Sequence, residues 1–422
     1  MRIREPLRIR FFKKIIRFFK PKNYTIKSNN IVFDELKQVV DKYLLGVVTE
    51  NETSKNILII FKSHKIANNL PYKSWLYFLM FLKNKNNVKK FNNSNFFNKK
   101  VSYEETILIY RLCLAYGHFE LGYSIRTYLK ECLEKVNLHS KSSLKDKIIK
   151  LALLLENQNY NQLRIEIKKF KLSKKHFHLF IDLINIIKNE SICEFQGIDK
   201  EYLKFVKGKR IAIVGPAKTS KKDGSEIDSF DVILRLNYKD ETVIMDSSIK
   251  GARSTISYFN LEQTQVVINN NFKNWPTELD WAIFNDNNTV NKIERELKFK
   301  SIETKLRSRN KKYNLTSFNT GYTALPKAVI DILRFKPAHV KIFHADFMLT
   351  VDREVGYKPS TWTEDMRAFF LEICSKRHDP VTQFYIMKNL CASRVISGDK
   401  RFDEVISLSP QQYMKELDKI YG

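Results

Sequence analysis

The sequence predicts an α/β fold in which a single Rossmann-like, mostly parallel sheet carries helices on both faces and follows an all-α domain of helical hairpins. Short apolar runs rich in β-branched residues recur after residue 205, and helical patterns separate them, as in βαβ units. From about residue 33 to 190, apolar residues recur with helical spacing instead. The pattern changes at 188–208, so we expect a helical domain over 30–195 and a second domain over 205–422.

Length and composition limit the class of protein. The chain has 422 residues, of which 43% are hydrophobic, so it can bury a sizeable core and is not disordered throughout. Its net charge of +28 favours an anionic partner, such as nucleic acid, an anionic membrane face, a nucleotide-sugar or an acidic glycan. Outside the N-terminus, the basic and aromatic residues match no recognised nucleic-acid-binding module. Nucleic acid is therefore not expected as a partner, and a basic nucleic-acid-binding protein is kept as the alternative.

Cysteine spacing and hydropathy bear on the compartment. The five cysteines contain no C-x-x-C pair, which indicates neither a zinc ribbon nor a disulfide framework and suits a reducing compartment. No apolar run approaches the ~20 residues that a transmembrane helix needs.

The first 22 residues are basic and amphipathic. They contain nine Lys or Arg residues and one Glu, with Phe and Ile residues between them. On a helix, this pattern places an aromatic and aliphatic stripe beside a basic face, which is typical of a helix at a membrane surface. We therefore expect 1–22 to bind an anionic membrane surface and expect a cytoplasmic protein at the inner face of the membrane. The alternative is a first helix that is docked on the domain with its basic side in solvent.

The region 33–190 contains two clear pairs of helical patterns. One pair begins at Tyr103, and the other occupies about 145–171, each with a short polar turn between its helices. Two or three stacked hairpins of the solenoid kind are predicted. Such a domain most often holds a partner or a neighbouring domain.

Two predicted strands flank a polar turn that begins at Gly215. The first strand, 210–214, ends at Gly215, and the second, 230–237, ends at Asn237. Ligands of open α/β sheets bind beyond the carboxyl ends of parallel strands, so both residues are expected on one rim of the sheet. No glycine follows Gly215 before Gly224, so the turn fits neither the dinucleotide fingerprint nor the P-loop. A Rossmann dehydrogenase or methyltransferase is disfavoured for that reason.

The same stretch resembles the large sialyl motif of the sialyltransferases, glycosyltransferase family 29. That motif has a Val-Gly turn, a glycine, an Ile-Asp-Ser/His-x-Asp segment and an Arg-x-Asn. The chain supplies these features in the same order at 214–215, Gly224, 227–231 and 235–237. A looser match to the family's next element covers 251–260.

Two later motifs extend the resemblance over about 205–422. The small sialyl motif, a turn followed by a helix and a strand, is similar to 318–347, where 319–321 form the turn and the helix runs through Ile332. The family's last motif, a His with a Glu five residues later, is matched by His378 and Gln383. The chain departs from the family at Pro216, Asn319, 344–345 and Gln383. These departures bear on the identity of the donor sugar more than on the class of reaction.

The resemblance implies an inverting glycosyltransferase with its catalytic domain at 205–422. It would move an acidic sugar, such as sialic acid or Kdo, from a CMP-activated donor to a glycan hydroxyl in cell-surface polysaccharide synthesis. The acceptor glycan would be linked to a membrane lipid if 1–22 binds the membrane, and another nucleotide-sugar transferase is a further alternative. The catalytic residue would be His378, and the donor-binding residues would be Gly215, Pro216, Asn237, Asn260, Asn319, Thr320, Gly321 and Tyr357. Secondary candidates are Arg235, His344, Asp346 and Gln383.

The residue types support some of these roles independently of the resemblance. A Thr-Gly turn at a helix N-terminus presents unpaired N–H groups that suit a phosphate or carboxylate, although an ordinary N-cap gives the same pattern. His378 opens a predicted helix and can accept a proton near neutrality, although a lone histidine is usually structural. His344 is the reserve candidate, because His339 precedes its predicted strand. Region 205–422 has no Asp-x-Asp, and a departing CMP carries a single phosphate, so we expect no metal ion and no cofactor besides the CMP-sugar substrate.

Overall fold

The computed structural model describes most of the chain after residue 25. The described residues are 26–66, 78–79, 82, 102–135, 138, 142–190, 195–236, 246–269, 275, 278–299, 302–309, 313–353, 366–392 and 395–422. The predicted membrane-surface segment 1–22 lies outside them. Contacts divide the chain into two units, Met1–Asn68 and Asn69–Gly422. Among the described residues, no helix combines the length and the apolar character needed to cross a membrane.

The described part of the first unit is a pair of helices. They are α1 (Ile26–Leu44) and α2 (Glu50–Ser63). A capping box begins α2, because Thr49 and Glu52 each accept a hydrogen bond from the backbone N–H of the other. Phe33 of α1 and Phe61 of α2 are fully buried.

Between 102 and 190, the described residues of the second unit form five helices, which we call the helical region. They are α3 (Tyr103–Ala115), α4 (Phe119–Lys135), α5 (Leu144–Glu156), α6 (Tyr160–Lys169) and α7 (Lys174–Ile187). Ser102 and Ser143 accept hydrogen bonds from the N–H groups three residues later and so begin α3 and α5. The two predicted helix pairs are confirmed.

The described residues after 190 form seven strands and ten further helices. In chain order they are α8 (Ile198–Val206), β1 (Arg210–Val214), α9 (Gly224–Asp228), β2 (Val232–Leu236), α10 (Ser247–Lys250), β3 (Ile256–Tyr258), α11 (Leu261–Asn269), β4 (Trp281–Phe284), α12 (Asn287–Phe299), β5 (Lys305–Ser308), α13 (Ala324–Leu333), β6 (His339–Phe343), α14 (Met366–Lys376), α15 (Pro380–Cys391), β7 (Ile396–Gly398), α16 (Lys400–Ser407) and α17 (Pro410–Tyr421). A 3-10 turn, Tyr313–Thr316, precedes α13.

All the described strands are parallel and form one sheet in the order β5-β4-β3-β2-β1-β6-β7. The chain moves outward from β1 to β5 and then returns to place β6 on the other side of β1. The strand order therefore reverses between β1 and β6, and ligands of such sheets bind at the carboxyl ends beside this switch point. The predicted α/β fold is confirmed.

Both faces of the sheet are covered. Along β1, Ile211 and Ile213 belong to the main hydrophobic cluster, whereas Ala212 and Val214 belong to a second one. Because side chains alternate between the faces of a strand, the two clusters lie on opposite faces. A parallel sheet buried on both faces accounts for the nearly continuous apolar runs in the sequence.

The helical region shares its core with the sheet. Leu151 and Phe180 of the helical region lie in the same hydrophobic cluster as Ile213 and Ile386. Each amphipathic helix must bury its apolar stripe, and here the sheet and α15 provide the surface. Contacts therefore divide the chain after Asn68 and not at the expected boundary between 195 and 205.

Candidate functional site

The carboxyl ends of the parallel strands form one rim of the sheet, and chemistry-bearing residues follow several strands there. Gly215 follows β1, His344 follows β6, and Asp399 follows β7. On the same rim, in the half of the sheet that contains β3 and β5, Asn260 lies two residues after β3 and Arg309 directly follows β5. Asn237 and Tyr357, both predicted donor-binding residues, lie outside the described residues.

His378 lies in the turn between α14 and α15. Because α15 leads back to the start of the parallel strand β7, its N-terminus and His378 lie toward the rim. The Nδ1 atom of His378 is 2.8 Å from the carbonyl oxygen of Gly321. A carbonyl oxygen can only accept a hydrogen bond, so Nδ1 carries the proton of the neutral ring. This leaves Nε2 as the basic nitrogen, and Nε2 makes no hydrogen bond within the described part of the chain.

The turn before α13 is held by side chains. Gln383 accepts a hydrogen bond from the Thr323 N–H at 2.7 Å and donates one to the Gly321 carbonyl at 3.2 Å. The Tyr322 N–H donates to Asn314 at 2.9 Å. The helix that was expected to open at 319–321 begins at Ala324, and the N–H groups of the two residues before it are bonded to side chains. Gln383 uses both ends of its amide here, which a carboxylate could not do.

Thr320 connects this turn to the His378 turn. Its hydroxyl oxygen accepts a hydrogen bond from the Asp379 N–H at 2.6 Å. Asp379 in turn begins α15, because its carboxylate accepts from the N–H groups of Val381 and Thr382. The structure therefore brings together four of the sequence-predicted residues, namely Thr320, Gly321, His378 and Gln383.

Lys327 lies near His378, and Arg309 lies near Lys327. We call Arg309, Lys327 and His378 the basic cluster. Burial and, to a smaller extent, the charge of Arg309 together lower the pKa of Lys327 to about 7. Burial likewise lowers the pKa of His378 to about 4, with Lys327 as the next cause. Within the described part of the chain, the Lys327 ammonium group has no hydrogen bond or ion pair. Lys327 therefore lacks a counter-charge and, with Arg309 near it, suits an anionic ligand.

Sequence reasoning missed Arg309 and Lys327. They are two of 74 Lys and Arg residues and belong to no motif. Arg309 is positioned by the rim, where its guanidinium donates to Asn285 and lies 5.6 Å from the centre of the Tyr258 ring. The only local signal was the place of Lys327 near the start of a predicted helix.

A second group of polar side chains lies beside β6, and we call Asp223, His344 and Asp399 the switch-point cluster. His344 Nε2 donates to the Asp223 carboxylate at 3.1 Å, and the His344 N–H donates to Asp399 at 2.6 Å. All three residues are buried. Burial lowers the pKa of His344 to about 4, and Lys250 adds to the effect. The ring is therefore neutral at pH 7, and within the described part of the chain its Nδ1 atom has no hydrogen-bond partner.

The switch-point cluster offers one ligand atom from each residue within 4.8 Å of the others, so it could hold a metal ion. Its atoms also have other partners, however. Asp399 accepts hydrogen bonds from two backbone N–H groups, and Lys221 pairs with Asp223 at 3.0 Å. The cations beside the cluster oppose a divalent ion. The predicted absence of a metal stays a prediction.

Close backbone approach explains the glycine at the end of β1. The Gly215 N–H donates to the Phe343 carbonyl at 2.8 Å, and a Cβ atom on Gly215 would overlap the His344 carbonyl oxygen. Any larger residue would push β1 and β6 apart. Pro216 follows on the rim and is partly exposed.

The remaining predicted residues fall into two groups. Arg235 and Asn260 hold backbone: Arg235 donates to the carbonyls of 250, 251 and 253, and Asn260 accepts from the Gln263 N–H at 2.8 Å. By contrast, Asn319 Nδ2 and Asp346 Oδ2 are buried atoms without a hydrogen-bond partner in the described residues. The second pair is therefore open to a ligand or a water molecule.

Comparison with known proteins adds no assignment. No family model matches the chain, and a search of curated proteins finds no match either.

Proposed function

We propose that the protein is an inverting glycosyltransferase that transfers an acidic sugar from a CMP-activated donor to a glycan hydroxyl. The observation that carries the proposal is the geometry of His378. The Gly321 carbonyl fixes the proton on Nδ1, and Lys327 lies close enough to lower the pKa of the ring. A base beside an uncompensated positive charge suits a reaction between an anionic donor and a hydroxyl group.

In the proposed reaction, the acceptor hydroxyl oxygen attacks the anomeric carbon of the donor sugar from the face opposite the phosphate. The bond between that carbon and the phosphate oxygen breaks, and CMP leaves with the electron pair. His378 Nε2 takes the proton of the hydroxyl group. One displacement of this kind inverts the anomeric configuration.

The basic cluster would bind the donor and adjust the base. Lys327 and Arg309 would pair with the phosphate or the sugar carboxylate of the donor. Because Lys327 lowers the pKa of His378, pairing Lys327 with an anion would raise that pKa towards the value of a useful base. Donor binding and base strength are thus coupled. The charge stabilisation would come from Arg309 and Lys327, so we expect no metal ion or other cofactor to take part.

We also propose a cytoplasmic, peripheral location at the inner face of the membrane. The basic and aromatic pattern of 1–22 supports contact with anionic lipid, where each Lys or Arg near the surface contributes ~1 kcal/mol. The acceptor glycan would then be linked to a membrane lipid. No feature of the described residues favours nucleic acid as the partner.

A panel of nucleotides tests the proposal. CMP and CMP-sugars should raise the melting temperature, because a ligand at 100 times its Kd stabilises the folded state by about 2.7 kcal/mol. UDP-sugars and NAD should leave it unchanged. Stabilisation by UDP-sugars without any by CMP would contradict the proposed donor.

A further inference from the structure

Two consecutive residues of α3 hold both ends of the turn that carries His378. The Arg111 Nε atom donates to the Ser375 carbonyl at 2.6 Å. The Tyr110 hydroxyl donates to the Asp379 carboxylate at 2.8 Å. Both α3 side chains are buried, with exposed fractions of 2% and 0%. The turn 375–379 is therefore fixed from the helical region three residues before His378 and one residue after it.

The Tyr110 contact continues to the group that orients the imidazole. Asp379 accepts from Tyr110 through its side chain, and its backbone N–H donates to the Thr320 hydroxyl. Thr320 directly precedes Gly321, whose carbonyl oxygen accepts from His378 Nδ1. A short chain of buried hydrogen bonds thus joins the helical region to the atom that determines the ring tautomer.

A second buried link reaches the first turn of α15. Arg126 of α4 donates to Glu156 of α5 at 2.6 Å and to the Thr382 hydroxyl at 2.9 Å. Its guanidinium group lies 4.1 Å from the centre of the Phe318 ring, next to the turn that holds Gly321. Burying such charges is costly, and an apolar interface would anchor two helices at lower cost. Here Arg126 instead contacts the first turn of α15 and the turn before α13, which both lie next to His378.

We infer that Tyr110 and Arg111 are positioning residues for His378, so that the helical region fixes the geometry of the catalytic base. This inference rests on the proposed function of His378 as the base. It gives the helical region a role in the reaction in addition to its share of the hydrophobic core. A small displacement of a base can cost up to about 100-fold in rate, so the fixed turn matters for turnover.

The test compares Tyr110→Phe with a matched control, Tyr123→Phe. Tyr123 also lies in the helical region, and its hydroxyl pairs with that of Tyr385 in α15 at 3.2 Å, away from Asp379. Two quantities are measured: turnover of a CMP-activated acidic sugar, and the tautomer of His378 by ¹⁵N NMR. Tyr110→Phe should lower kcat at least about tenfold with donor KM within twofold, and should replace the single Nδ1–H tautomer by a mixture. Tyr123→Phe should change neither quantity.

A wild-type kcat together with an unchanged tautomer in Tyr110→Phe would overturn the inference. If that variant does not fold, Thr320→Val tests the inference instead, because it removes the hydroxyl group that accepts from the Asp379 N–H. Thr320→Ser keeps a hydroxyl group and should therefore keep the single tautomer. The NMR measurement needs no substrate. If the wild-type protein releases no CMP from any CMP-sugar, the proposed function fails, and the tautomer still decides whether Tyr110 positions the ring.

Discussion

Replacing Lys327 by Met should stabilise the protein and weaken donor binding. The pKa of Lys327 falls from 10.5 to about 7, mainly through burial. At 1.36 kcal/mol per pKa unit, this shift corresponds to roughly 4–5 kcal/mol as an upper bound. Solvent at the partly exposed side chain reduces the figure, and we expect Lys327→Met to gain about 1–3 kcal/mol at pH 7. For a chain of this size, the melting temperature should rise by roughly 1–3 °C.

The same variant should lose affinity for CMP. A hydrogen bond to a charged group contributes about 1.5–3 kcal/mol, so the Kd for CMP should rise roughly 10- to 100-fold. Thermal unfolding with and without CMP measures both effects. The matched control is Lys336→Met just after the same helix, because the Lys336 ammonium group is paired with backbone and side-chain oxygens of 189–190. Lys336→Met should therefore gain no stability and should bind CMP with the affinity of the wild-type protein.

The pH dependence of the stability gain in Lys327→Met tests this reasoning. Lys327 has a lowered pKa in the folded state, so its penalty is present at pH 7 and disappears as the pH rises towards 10.5, where the lysine is neutral in both states. The stability difference between Lys327→Met and the wild-type protein should therefore shrink from pH 7 to 10. A destabilised variant, or a difference that does not depend on pH, would refute the reasoning about an uncompensated cation.

Three further predictions concern the metal, the membrane and acid. Turnover should persist in EDTA, and a loss restored by manganese would instead indicate a metal at the switch-point cluster. Deleting 1–22 should abolish binding to anionic vesicles while sparing turnover on a soluble acceptor. Unchanged vesicle binding would contradict the proposal that this segment binds the membrane. The pKa values of His344 and His378 are lowered to about 4, so stability should fall as the pH drops from 6.5 towards 4. His344→Asn, which tolerates the left-handed backbone at this position (φ 53°), should lose less over that range, and an identical loss would argue against a buried neutral His344.

The sequence was sufficient for the fold because each strand of a buried parallel sheet is a short apolar run. The predicted strand 210–214 is confirmed residue for residue, and the predicted strand at 230–237 is confirmed over Val232–Leu236, with Asn237 outside the described residues. The start of α13 was not predictable locally. The turn before it is held by Gln383, 60 residues later, which accepts a hydrogen bond from the N–H of Thr323.

The candidate site was predictable only where a motif marked it. His378, Thr320, Gly321 and Gln383 belong to motifs, and the structure places them in contact. The basic cluster and the hydrogen bond from Tyr110 to Asp379 were not predictable, because the residues involved lie on different elements and become neighbours only when the chain folds. The core that the helical region shares with the sheet was not predictable for a similar reason, since the pattern that defines a helix does not say against which surface that helix is buried.

Release of CMP from a CMP-activated acidic sugar tests the central claim most directly, with wild type, His378→Ala and His344→Ala compared. Loss of a general base typically costs 10²–10⁴-fold in rate. His378→Ala should therefore lower kcat by about that factor while its melting temperature and CMP affinity stay close to those of the wild-type protein, and His344→Ala should retain turnover. Near-full activity in His378→Ala, combined with an inactive His344→Ala, would contradict the account and move the base to the switch-point cluster.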